Sequence, residues 1–238
     1  MEAEIERRAA WMWRNLRRHW TKHLMALAAL AGVVGFFEIA EEVGESETRQ
    51  VDETILLAMR ETGDPQDPIG PPGLTEAARD ITSLGGGTLL TCVTFVACGM
   101  TLLAGNRRLA ALGVVSVCLG TVAMKLLKIG YDRPRPDLVE HGALVTSPSF
   151  PSGHSMMSAL VYLSLGILVS RIQPRRRVRA FVMAVSIGVT LAVGLSRVFL
   201  GVHWPTDVLA GWALGGAWAM LVWIAAGLME GGRVASEI

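Results

Sequence analysis

Six blocks of apolar sequence, separated by polar or basic stretches, constrain this chain more than any other feature. They run from about Leu24 to Ala40, Gly87 to Ala104, Leu109 to Leu127, His154 to Val169, Ala180 to Leu195 and Thr206 to Leu228. A helix needs roughly 20 residues to cross the hydrocarbon core, and only elements that satisfy their own backbone hydrogen bonds persist there. In a chain that is 51% hydrophobic, such blocks predict an all-α, polytopic six-helix transmembrane bundle.

The segments between the blocks set the domain plan. Residues 1–23 carry Arg7, Arg8, Arg14, Arg17, Arg18 and Lys22 among Trp11, Trp13 and Trp20. No small-residue cleavage pattern follows and Glu38 interrupts the apolar run, so the expectation is an uncleaved first helix with an interfacial tryptophan belt. Residues 24–228 then form one membrane domain, with an extracytoplasmic insert at 41–84 and a cytoplasmic tail at 229–238. In the acidic insert, Val51, Ile55, Leu56 and Met59 recur at helical spacing, predicting a short amphipathic helix on the membrane surface. Asp64 to Pro72 is expected to be a loop, and Thr75 to Leu84 a second short helix.

Charge gives the orientation. The amino terminus, the Arg107-Arg108 turn and the Arg171 to Arg179 loop are basic and fall on one side of a six-span chain, which is therefore the cytoplasm. A multi-pass protein of a cell's inner membrane follows, with both termini cytoplasmic. The insert, the Lys128 to Pro151 stretch and the Arg197 to Pro205 stretch share the outer face. A balance of 22 basic and 21 acidic residues gives no reason to expect nucleic acid. Cys92, Cys98 and Cys118 lie within apolar blocks without ligand spacing and read as small core residues.

Three polar clusters lie on that outer face: Lys128 to Pro136, Pro151 to Ser155, and Ser196 to Asp207. Their contents suit phosphate handling, which rests on positioning and on electrostatic stabilisation of the equatorial oxygens. Lys128, Arg135 and Arg197 would supply positive charge without a metal. Ser152-Gly153 precedes a helix whose free N–H groups can hold an anion. His203 and Asp207 are four residues apart, so the carboxylate could hold one ring nitrogen while the other attacks phosphorus. His154 is left to protonate the leaving oxygen. Arg133 reads equally as a second phosphate or headgroup contact and as a solvated loop charge.

The pattern Lys-x6-Arg-Pro, Pro-Ser-Gly-His and Ser-Arg-x5-His-x3-Asp resembles the signature of the type 2 phosphatidic acid phosphatase (PAP2) superfamily. It matches at Lys128, Arg135, Pro136, Pro151, Ser152, Gly153, His154, Ser196, Arg197, His203 and Asp207. The resemblance implies that His203 is the nucleophile, Asp207 its support and His154 the general acid. By the same resemblance Lys128, Arg135, Ser152, Gly153 and Arg197 hold the phosphate, and no metal or cofactor is needed. The implied substrate is a lipid phosphomonoester or diphosphate: phosphatidic acid, phosphatidylglycerophosphate or a polyprenyl diphosphate such as undecaprenyl diphosphate. Two other functions fit the same residues, a lipid phosphotransferase and a non-catalytic binder or transporter of anionic headgroups. Membrane lipids are the expected surroundings, and the sequence leaves the oligomeric state open.

Overall fold

The computed structural model describes the backbone of residues 2–141, 143 and 147–235, and side chains within 20–229 apart from 142 and 144–146. The side chains of residues 1–19 and 230–238 lie outside the described set, and with them most of the basic, tryptophan-bearing segment and the tail. Trp20 is described and is exposed.

The chain is built almost entirely of helices. They are α1 (Glu2–Gly44), α2 (Arg49–Leu57), α3 (Pro72–Ser83), α4 (Gly87–Leu103), α5 (Arg107–Tyr131), α6 (Gly153–Ser158), α7 (Ser164–Ile172), α8 (Arg176–Phe199) and α9 (Pro205–Ala235). A π-helical stretch, Ala159–Leu163, joins α6 to α7 into one continuous element. By length and apolarity, five helices can cross a bilayer: Trp20–Gly44, Arg107–Tyr131, Gly153–Ile172, Arg176–Phe199 and Pro205–Met229. The pair α3 and α4, bent by 51° at their junction, passes the same test together and, counted as one broken span, raises the number of candidate crossings to six.

Gly153–Ile172 is the centre of the bundle, because 61% of its most apolar window is buried against 17% to 39% for the other four. Glycines let α9 approach it closely. A Cβ on Gly211 would lie 2.9 Å from Ser152 O, and one on Gly215 2.5 Å from Met156 O and 2.7 Å from Ala159 Cβ. In lipid, where apolar surface gains little by leaving its solvent, such backbone contacts carry much of helix association. Interhelical hydrogen bonds add to them, from Trp212 Nε1 to Thr190 O at 3.2 Å and from Trp218 Nε1 to Ser116 Oγ at 2.8 Å.

Three expectations need correction. Residues 64–72 are not simply a loop, since Arg60–Glu61 (β1) pairs antiparallel with Asp64–Pro68 (β2), and Gly63, at φ +98°, makes the turn. The helix in the insert forms, but its protein-facing side is Thr48, Asp52 and Leu56, while Val51 and Ile55 are exposed. It clamps onto the bundle's end through a carboxylate as well as a leucine. Cys98 is buried, but Cys92 and Cys118 are exposed on the helix surfaces, where apolar surroundings suit a thiol equally well.

The bundle brings four helix termini to one end: the last turn of α5, the first turn of α6, the last turn of α8 and the first turn of α9. The loop before α6 is anchored there by Phe150, fully buried against Phe36 of α1 and Tyr131 of α5 at ring-centre distances of 5.7 and 5.0 Å.

The α6–α9 contact predicts that Gly215→Leu lowers the melting midpoint of the detergent-solubilised protein, a cost of about 1–3 kcal/mol for overpacking. Gly216→Leu, one residue on with nothing within 4 Å of its Cβ position, should melt near wild type. Equal midpoints for the two variants would contradict the packing.

Candidate active site

His203 sits on a short turn between α8 and α9. Gly201 makes the turn at φ +69°, and its Cβ position is already crowded by Val139 Cγ2 at 2.5 Å. Pro205 opens α9, where its fixed φ suits the first helical position. Asp207 therefore lies in the first turn of α9, and its Oδ2 is 3.3 Å from His203 Nδ1. Both side chains are essentially fully buried.

The neighbours of the ring fix its tautomer. A carboxylate only accepts, so Nδ1 carries the hydrogen; a guanidinium only donates, and Arg135 Nη1 lies 3.3 Å from Nε2, so Nε2 keeps its lone pair. Burial pushes the His203 pKa down to about 3, outweighing the opposing pull of Asp207. The imidazole is thus neutral near pH 7, with its unprotonated nitrogen turned toward an arginine.

Three cations lie at this end of the bundle. Arg135 is held by bonds from Nε to Ser147 O at 2.8 Å and from Nη1 to Val202 O at 2.6 Å; burial lowers its pKa, but a guanidinium stays charged. Lys128 Nζ donates to Pro148 O at 2.6 Å, and its stem lies over Gly153, whose Cβ position is 3.2 Å from Lys128 Cε. Arg197 is 3% exposed and bonds Thr82 Oγ1 at 3.0 Å, while its Nε is buried without a hydrogen-bond partner. Arg135 and Arg197 are near enough for their fields to reach both Lys128 and His154.

The start of α6 completes the pocket. Ser152 caps the helix, accepting from Ser155 N and from Ser155 Oγ, so its own O–H remains a donor. The first capped amide is Ser155's, which leaves the N–H groups of Gly153 and His154 as the helix's open donors. Lys128, Gly153 and His154 line a cavity of about 450 Å³ that continues between α4 and α5 past Leu90, Thr91 and Met124. The eight residues singled out in the sequence thus gather at one end of the bundle.

Three more residues, which the sequence did not single out as site members, complete the cluster. Ser149 Oγ donates to Asp207 Oδ2 and lies 3.3 Å from His203 Nδ1. Arg133 is neither a solvated charge nor turned to the pocket: its side chain is 13% exposed, and it bridges Asp207 Oδ1 at 2.6 Å and Asp52 Oδ2 at 2.8 Å. Asp52, from α2, is fully buried and accepts from Thr206 N at 2.9 Å and Thr206 Oγ1 at 2.7 Å. Asp52 stands in a run of acidic residues that look alike in sequence, so no local signal separates it. Among the described residues, no three His, Cys, Asp or Glu side chains converge as a metal site.

Fold and pocket together define a polytopic membrane protein with a cationic, histidine-bearing site at one end of its bundle. A family model, the PAP2 superfamily, matches residues 109–228. Phosphatidylglycerophosphatase B of Bacillus subtilis is 36% identical over 150 residues, covering 60% of this chain and 71% of the relative. Lipid A 1-phosphatase of Rhizobium etli is 29% identical over 174 residues, covering 63% and 71%. Among solved structures, the transmembrane PAP2-type phosphatidylglycerolphosphate phosphatase of Bacillus subtilis superposes with a TM-score of 0.76 at 28% identity, covering 85% of this chain and 96% of that one. The chain belongs to the PAP2 superfamily and is a multi-pass membrane hydrolase of phosphoric esters.

The buried imidazole ties stability to pH. Between about 6.5 and about 3, unfolding releases residue 203 to take up a proton that the folded site refuses, so stability falls as pH falls. The melting midpoint should drop from pH 7 to pH 4.5, and drop less in His203→Gln. A variant as acid-sensitive as wild type would assign the effect elsewhere.

Proposed function

We propose that this enzyme removes phosphate from a membrane lipid through a phosphohistidine. His203 Nε2 attacks phosphorus, the bond from phosphorus to the lipid oxygen breaks, and His154 donates a proton to that oxygen. Water then attacks the phosphohistidine, giving its proton to His154 and restoring Nε2 as inorganic phosphate leaves. Asp207 stabilises the positive charge that the ring gains. Lys128, Arg135, Arg197, the Ser152 hydroxyl and the open N–H groups of α6 bind the equatorial oxygens, and Arg197 Nε gains an acceptor.

The observation that carries this reading is the fixed tautomer of His203, with a lone pair on Nε2 beside Arg135. A mere binder of anions needs the cations but not an oriented, neutral imidazole. A cavity that leads from Lys128 and His154 between α4 and α5 along Leu90 and Met124 supports a lipid substrate. An acyl or prenyl chain occupies it while the phosphate stays among the cations. Phosphatidylglycerophosphate is the first substrate to assay, given the names of the relatives, with phosphatidic acid and undecaprenyl diphosphate beside it. Basic residues such as Arg107, Arg108, Arg175, Arg176 and Arg177 at the opposite end support a cytoplasmic placement of that end in an inner membrane, with both termini cytoplasmic and the site facing outward. Residues 24–228 act as one catalytic unit, into which the 41–84 insert contributes.

The purified protein in detergent should release phosphate from at least one of these three lipids. His203→Ala should cut release by roughly 10⁴-fold or more. His154→Ala should leave a radiolabelled phosphoenzyme at residue 203 that survives an alkaline quench and is lost on acid treatment. Excess EDTA should leave turnover unchanged. Undiminished release by His203→Ala, or EDTA inactivation reversed by magnesium, would overturn the mechanism.

A further inference from the structure

We propose that Asp52 and Arg133 are positioning residues for the catalytic pair, so that the insert between the first two spans sets the working geometry of Asp207. This rests on the phosphohistidine mechanism above and adds to it the device that aims the carboxylate.

For Asp207 to serve His203, its Oδ2 must stay on Nδ1, which requires the other oxygen to be pinned. Arg133 Nη1 pins Oδ1 at 2.6 Å. The guanidinium is itself fixed on several sides: it donates to Thr206 Oγ1 at 2.9 Å and Asp52 Oδ2 at 2.8 Å, and packs over the Trp204 ring at 5.6 Å. Such a clamp has an electrostatic cost. An arginine alone against Asp207 would neutralise the charge that the imidazole needs when it becomes cationic. Asp52 restores the balance, because two carboxylates against one guanidinium leave one net negative charge in the triad.

Asp52 does a second thing through the same oxygens. Its Oδ1 accepts from Thr206 N in the first turn of α9, one residue before Asp207. A carboxylate from α2 thus caps the helix that carries Asp207, in the favourable sense of the helix dipole. With no exposure at all, Asp52 serves no solvent-facing purpose, and nothing in it touches the phosphate pocket directly.

The test uses the full-length enzyme in detergent with its best lipid substrate. Asp52→Asn keeps the shape and removes the charge; it should lower kcat by about 10–100-fold, the usual effect of losing a group that orients a reacting one. KM should stay within about two-fold, as should inhibition by inorganic phosphate. Asp52→Glu should recover part of the rate. Because Asp52→Asn keeps an acceptor for Thr206 N and removes only the charge that faces Arg133, the double variant Asp52→Asn/Arg133→Gln should be no slower than Arg133→Gln alone.

Wild-type kcat in Asp52→Asn overturns the proposal, and so does a loss confined to KM or to phosphate affinity. Should that variant fail to fold, Arg133→Lys keeps the positive charge but loses the planar fork that bridges Asp207 Oδ1 and Asp52 Oδ2. A kcat loss there supports the clamp, and an unchanged kcat overturns it. His203→Ala run in parallel separates the two levels. If it still turns over, the phosphohistidine mechanism falls; if it is inactive while Asp52→Asn is fully active, only the clamp falls.

Discussion

The structure depends on keeping one carboxylate, that of Asp207, charged and fully buried at the end of a membrane bundle. An ion taken out of water must recover several kcal/mol from its new neighbours. Asp207 recovers it from Ser149 Oγ, Trp204 N and the His203 ring on one oxygen, and from Arg133 on the other. Its backbone carbonyl also accepts from Ser152 N at 3.0 Å. The turn before α9, the loop before α6, the start of α6 and the segment after α5 are therefore held in register by a single residue.

The cations follow the opposite logic. Arg197 is buried and Lys128 and Arg135 are half-buried, and their bonds go mainly to carbonyls or hydroxyls: Pro148, Ser147, Val202 and Thr82. Neutral acceptors orient these groups without cancelling their charge. The one acid group among them that faces His203 already has its own arginine. Positive potential is thereby left over in front of Nε2, where the proposed reaction places the negatively charged equatorial oxygens of the phosphate. Arg60 shows the contrast outside the pocket. It is buried too, its pKa lowered by burial, but it spends Nη1 on Phe199 O at the end of α8, steadying the helix that carries Arg197.

Helix packing supports this arrangement by allowing little freedom. Gly211 and Gly215 let α9 seat against α6 and the π-helical stretch beyond it, so the first turns of both helices are fixed relative to one another. A π-turn commonly marks a place where a helix yields to function. Here it lies one turn below His154 and holds Tyr162, whose hydroxyl donates to Leu84 O at 2.8 Å, tying the central helix to the bend between α3 and α4.

Local sequence was enough for the apolar spans and for the charged residues and histidines that gather at one end of the bundle. Hydrocarbon demands about 20 apolar residues in a row, and phosphate chemistry demands particular side chains, so both leave marks that need no partner to be read. The helix in the insert was equally legible from its spacing. Which of its faces is covered was not, because Val51 and Ile55 tolerate exposure beside a membrane while Asp52 does not tolerate burial alone. The hairpin at 60–68 escaped for a related reason: proline and glycine announce a turn, but pairing depends on the partner strand. Tertiary structure alone decided that Asp52, of all the acids in its run, would be buried, that Arg133 would face inward and Ser149 would reach Asp207. A charge is acceptable inside only when groups distant in the chain surround it, and that condition is met in three dimensions, never in the order of residues.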